Sequence, residues 1–121
     1  MSTQNVLWVA IVLFAMAAAG GLVMAGVRTF GGRNPPAWLA MLHGLLAGAG
    51  LTLLLFATFT VGVPTYAIWA VVLFIIAALG GVFLNLGYQE KRALLPKPVM
   101  YVHALIAVVG FVLLIVAAVG G

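Results

Sequence analysis

His43 and His103 are the only imidazoles in this sequence of 121 residues, and they lie 60 positions apart. Little else in the chain can do chemistry. There is no cysteine and no aspartate, and Glu90 is the only carboxylate side chain. Thiolate nucleophiles, iron–sulfur clusters, Cys-based zinc sites, paired-carboxylate catalysis and Ser-His-Asp triads are therefore excluded. What remains is chemistry that two imidazoles can support: metal ligation or proton transfer.

The elements that must position these histidines are apolar. The hydrophobic fraction is 67 %, the charged fraction 5 %, and the mean hydropathy +1.37. A soluble domain is about a quarter charged, so the solvent implied here is the lipid bilayer. Four stretches approach the roughly 20 residues that a spanning helix needs: Val6–Val27, Ala37–Thr60, Tyr66–Gly87 and Val99–Val119. The breaks between them carry turn chemistry. Two glycines and Pro35-Pro36 lie in the first, Val61-Gly-Val-Pro-Thr65 forms the second, and residues 89–98 form the most polar segment of the chain. Thr65 is expected to cap the third helix. The N-terminal stretch lacks a basic leader and is too long for the apolar region of a cleaved signal peptide, so it is read as a retained span.

Arg28, Arg33, Lys91, Arg92 and Lys97 all fall in the first and third connections, and none in the N-terminal tail or the second connection. This positive-inside bias predicts basic loops in the cytoplasm, both termini outside, and a bacterial inner membrane as the location. With so little charge overall, it is a topology signal, not a nucleic-acid footprint.

Shifting the chain by 60 residues aligns it with itself without a gap, giving 16 identities in 61 pairs. Chance predicts about six for this composition. The sequence thus reads as one domain, 1–121, an all-α transmembrane four-helix up-down bundle made of two tandem hairpins, about 1–60 and 61–121. An even number of spans per unit makes the repeats parallel. His43, Ala47, Gly50, Leu54 and Ala57 match His103, Ala107, Gly110, Leu114 and Ala117. Their spacing of 4, 3, 4 and 3 places them on one helical face.

Each histidine lies about seven residues into its helix, about 10 Å from the basic boundary. An ionisable residue in a span is a functional-site candidate by default. The second and fourth helices of such a bundle are diagonal. Their axes should be about 11–14 Å apart, too far for direct hydrogen bonding between imidazoles but suited to one metal between them. A bare ion would lack further ligands at that depth, whereas haem b brings its own equatorial set. Gly20, Gly21, Gly80 and Gly81 share the histidines' depth and are expected to thin the other two helices for the macrocycle. Gly50 and Gly110 would thin the next layer. Arg28, Arg33 and Lys97 are candidate partners for haem propionates. Asn85, Tyr88 and Tyr101 have no counterparts in the other repeat and are candidates for an asymmetric quinone entrance or for interfacial anchoring.

On these residues, the histidine pair with its glycines, the chain resembles the small b-type cytochromes of membranes. Similar logic is found in the anchors of succinate dehydrogenase and in the ascorbate-reducible cytochromes. The resemblance implies one bis-histidine haem and single-electron transfer, with a quinol or a partner redox protein as the exchange partner, and homo-oligomerisation is open. The ascorbate-reducible family carries two histidine pairs; this chain has one. Two other classes stand beside this one: a non-catalytic membrane subunit or assembly factor whose histidines serve packing, and a small transporter coupled through histidine.

Overall fold

The computed structural model describes residues 2–120. Four long helices follow in order: α1 (Thr3–Gly31), α2 (Ala37–Phe59), α3 (Thr65–Leu84) and α4 (Lys97–Val119). All four are long and apolar enough to cross a membrane, and the chain is an all-α, multi-pass four-helix bundle. α1 overruns its apolar stretch at both ends. Ser2 caps it by accepting a hydrogen bond from the Asn5 amide, and Gly32 ends it in a left-handed conformation at φ 65°. α2, α3 and α4 are each entered through a proline at the N-cap, Pro36, Pro64 and Pro96. Thr65 is accordingly the first helical residue of α3 and not its cap. Proline, held in extended conformation with no amide to satisfy, serves as the stop between helices.

Spans in lipid must satisfy their own polar groups. The α2 threonines do so locally: Thr52, Thr58 and Thr60 donate to the carbonyls of Gly48, Leu54 and Phe56. α3 continues into a short π-helical turn, Asn85–Gln89. The corresponding end of α1 stays α-helical through Gly31.

Helices packed in sequence form the tightest pairs, α1 with α2 and α3 with α4; α1–α4 and α2–α3 close the ring less extensively. The bundle is thus two hairpins laid side by side. Residues 11–20 repeat the burial pattern of residues 71–80 position by position, as do 41–50 and 101–110.

The two ends of the bundle are built differently. Toward the chain termini the core is solid: Leu7, Ala10, Leu54, Ala67, Ala70 and Leu114 are fully sealed. Ala10 and Ala70 let the helices approach closely, as small residues do in membrane interfaces. At the basic end a smaller cluster of Leu84, Leu95 and Met100 packs with Ala25 and Tyr88. Hydrogen bonds between connections lock that end. Arg28 Nε donates to the Leu95 carbonyl at 2.9 Å. Asn34 donates to the Ala93 carbonyl and accepts from the Leu95 amide. Gln89 donates to the Pro35 carbonyl. The histidines lie between the solid core and the locked loops.

Candidate functional site

His43 projects from α2 and His103 from α4, and the structure brings them together across the bundle. Their ring centroids are 6.3 Å apart and the planes are inclined by 72°. A nitrogen-to-nitrogen hydrogen bond of about 3 Å would put the centroids only about 5 Å apart. With about 1.1 Å from ring nitrogen to centroid and about 2.0 Å from nitrogen to metal, two imidazoles sharing one metal have centroids about 6 Å apart. The observed separation is too wide for a direct hydrogen bond; it is that of an edge-to-face ring contact and also matches two imidazoles sharing one metal.

The second ring nitrogen is handled differently in the two residues. His43 Nδ1 lies 2.7 Å from the Ala17 carbonyl. A carbonyl only accepts, so Nδ1 carries a proton, and in the neutral ring the lone pair is then on Nε2. That is the second-sphere arrangement that orients metal-bound histidines. His103 Nδ1 is buried without a hydrogen-bond partner. Its counterpart acceptor, the Ala77 carbonyl, is close by but outside hydrogen-bond geometry.

The histidines border a cavity of about 760 Å³ between the two hairpins. This lies within the range of small-molecule and cofactor sites. Its walls follow the sixty-residue correspondence: Ala17 and Ala77, Ala18 and Ala78, Gly21 and Gly81, Ala47 and Ala107 line it in pairs. Phe14 and Phe74 form its floor, stacked with centroids 3.9 Å apart and planes within 7°. Toward the basic end Asn85, Gln89 and Glu90 reach it. Gln89 Oε1 is buried there without a partner.

The glycines at the histidines' depth also meet the imidazoles themselves. A Cβ at Gly21 would stand 3.1 Å from His43 Cε1, and one at Gly81 would stand 3.2 Å from His103 Cε1. A Cβ at Gly20 would stand 3.9 Å from His43 Cβ and one at Gly80 3.6 Å from His103 Nδ1, both ordinary contacts. Gly21 and Gly81 therefore seat the imidazole of their own hairpin. Gly50 and Gly110 likewise receive rings of the chain itself, Phe14 and Phe74. Gly44 and Gly48 line the cavity as well, and an added Cβ there would meet nothing within 4 Å.

The expected basic partners are also placed elsewhere. Arg28 is occupied with Leu95, Lys97 is an exposed first residue of α4, and Arg33 is exposed in a separate surface groove. None of the three lines the interior cavity. Tyr101 bonds Thr29 at 2.7 Å and ties α4 to α1, while Tyr88 packs edge-on against Phe83. Of the three residues lacking counterparts, only Asn85 faces the cavity. The Phe14–Phe74 floor could have been found in sequence, since both rings lie in the repeated stripe. Gln89 could not, because its direction depends on the π turn.

Among the described residues no cluster of three or more His, Asp or Glu side chains could hold a bare metal ion. No protein-family model matches the chain, and neither a curated protein nor a solved structure is significantly similar to it.

Proposed function

We propose that this protein is a membrane b-type cytochrome in which His43 and His103 are the two axial ligands of one haem, and that it carries single electrons. The reading is carried by one observation: two imidazoles with ring centroids 6.3 Å apart beside an apolar cavity, with no third His or carboxylate grouped with them among the described residues. That donor set suits a metal that brings its own equatorial ligands. The residues fit in three further respects. The Ala17 carbonyl holds the His43 tautomer that leaves Nε2 free to ligate. Gly21 and Gly81 give each ring a fixed seat. The cavity borders both histidines and is lined mainly by apolar side chains. Held by His43 and His103, haem would supply a one-electron carrier.

The paired burial patterns support an origin from two tandem, parallel hairpins. The basic loops face the cytoplasm of a bacterial inner membrane, with both termini outside. A quinol or a partner redox protein exchanges the electron.

The test is an absorption spectrum of the detergent-purified protein after addition of haemin. Reduced-minus-oxidised bands of a b-type cytochrome are expected, and should be lost in His43→Ala and in His103→Ala while helical circular dichroism persists. A folded protein that takes up no haem, or whose histidine variants keep the same spectrum, refutes the reading.

A further inference from the structure

The basic end carries a second concavity, a surface groove of about 370 Å³ lined by Gly32, Arg33, Asn34, Pro35, Ala37, Gln89, Arg92 and Leu94. Its walls come from the first and third connections. They are held in register by Asn34, which donates to the Ala93 carbonyl at 2.7 Å and accepts from the Leu95 amide at 2.9 Å. Arg33 stands on one connection and Arg92 on the other. The Arg92 backbone is left-handed, at φ 55°, a conformation that a residue with a side chain rarely adopts. This places an arginine at a point where glycine would be at ease. Five Lys and Arg residues share this end of the bundle with one carboxylate, Glu90, so at least four of these cations must find their anions outside the chain.

We propose that this groove is a binding site for the phosphate headgroup of an anionic membrane phospholipid, gripped by Arg33 and Arg92. Guanidinium forks match phosphate oxygens in charge and geometry. Basic pockets beside spanning helices at the cytoplasmic surface are suited to such headgroups. The groove is built from the two connections that join the apolar helices at the basic end. Phe30 and Trp38, close in sequence to the groove's Gly32 and Ala37, are 90 % and 66 % exposed, as aromatic residues are at a membrane interface. Below the groove Ala37, Met41 and Leu45, spaced four residues apart, form an exposed apolar stripe on α2 that also borders the interior cavity. Met41 and Leu45 are 67 % and 66 % exposed, so an acyl chain has a track to follow. Neither arginine lines the interior cavity, while Pro35, Ala37 and Gln89 border both concavities.

Native mass spectrometry of the detergent-solubilised protein, with equimolar phosphatidylglycerol and phosphatidylcholine, tests the assignment. One phosphatidylglycerol should be retained in preference to phosphatidylcholine by about tenfold, a difference of about 1.4 kcal/mol. The double variant Arg33→Gln/Arg92→Gln should abolish the preference, and Lys91→Gln, outside the groove, should keep it. Arg33→Lys/Arg92→Lys, which keeps the charge but not the fork, should fall between. Equal retention of the two lipids, or a preference that survives in the double glutamine variant, overturns the proposal. So does displacement of the lipid by millimolar inorganic phosphate, which would mark a site for a free anion.

Discussion

Replacing Gly50 with alanine puts a methyl group where the structure has no room for one. The new Cβ would lie 2.8 Å from Phe14 Cε2, 3.0 Å from Cζ and 3.1 Å from Cδ2, against a favourable carbon–carbon separation of about 3.5–4.0 Å. Phe14 is stacked on Phe74 at 3.9 Å, so it must slide across its neighbour or α1 and α2 must separate. Such overpacking costs about 1–3 kcal/mol, and the gain from alanine in a helix offsets about 0.5–1 kcal/mol of it. The net expectation is a loss of about 1–2 kcal/mol. Gly110 is the matched control in the same chain. Its added Cβ would meet Phe74 at 3.2 and 3.3 Å, a smaller overlap that the helix gain nearly cancels, so Gly110→Ala should change stability by less than about 1 kcal/mol. Unfolding of both variants in mixed dodecyl maltoside and sodium dodecyl sulfate, followed by circular dichroism, measures the difference. Combining Gly50→Ala with Phe14→Leu removes the obstructing ring edge, and a double-mutant cycle should show coupling of about 1 kcal/mol or more. If Gly50→Ala is as stable as Gly110→Ala, the proposed role of these glycines as seats for the phenylalanine floor is wrong.

Two further outcomes bear on the ends of the site. Ala47→Phe, on the face of α2 one turn beyond His43 and lining the cavity, should leave helical content intact but cut haemin uptake at least about tenfold by filling the space; unchanged uptake would place the cofactor elsewhere. Asn34→Ala removes two hydrogen bonds and strands the part-buried Leu95 amide, so thermal stability should fall by about 1–3 kcal/mol. Asn34→Asp keeps the acceptor and should lose less; equal losses would show that the Leu95 amide is not what matters.

Most of the architecture was legible in sequence because lipid imposes a simple rule. A span must be long, apolar and self-satisfied in its backbone hydrogen bonds. Composition and hydropathy therefore determined four helices and their hairpin turns, and the sixty-residue correspondence singled out His43 and His103 as one pair. The stripe containing Ala47, Gly50, Leu54 and Ala57 also predicted which face of α2 turns inward, and Gly50, Leu54 and Ala57 are indeed buried. Charge distribution marked the basic end, since no other loop carries Lys or Arg.

Which neighbour each glycine meets was decided only by tertiary packing. Gly21 and Gly50 are alike in sequence, yet one seats an imidazole and the other a phenylalanine edge. The reason is that a helix face specifies direction to within a sector, while a contact depends on the rotation and offset of the partner helix to within about an ångström. The same holds for the cations. Arg28 is drawn to the Leu95 carbonyl, and Arg33 meets Arg92 across a groove, because two connections remote in sequence fold over each other at one end of the bundle. The 6.3 Å between the histidine rings belongs to this class too. Residue types and period brought both rings to the same depth, but only the packing of one hairpin against the other determined how far apart they stand.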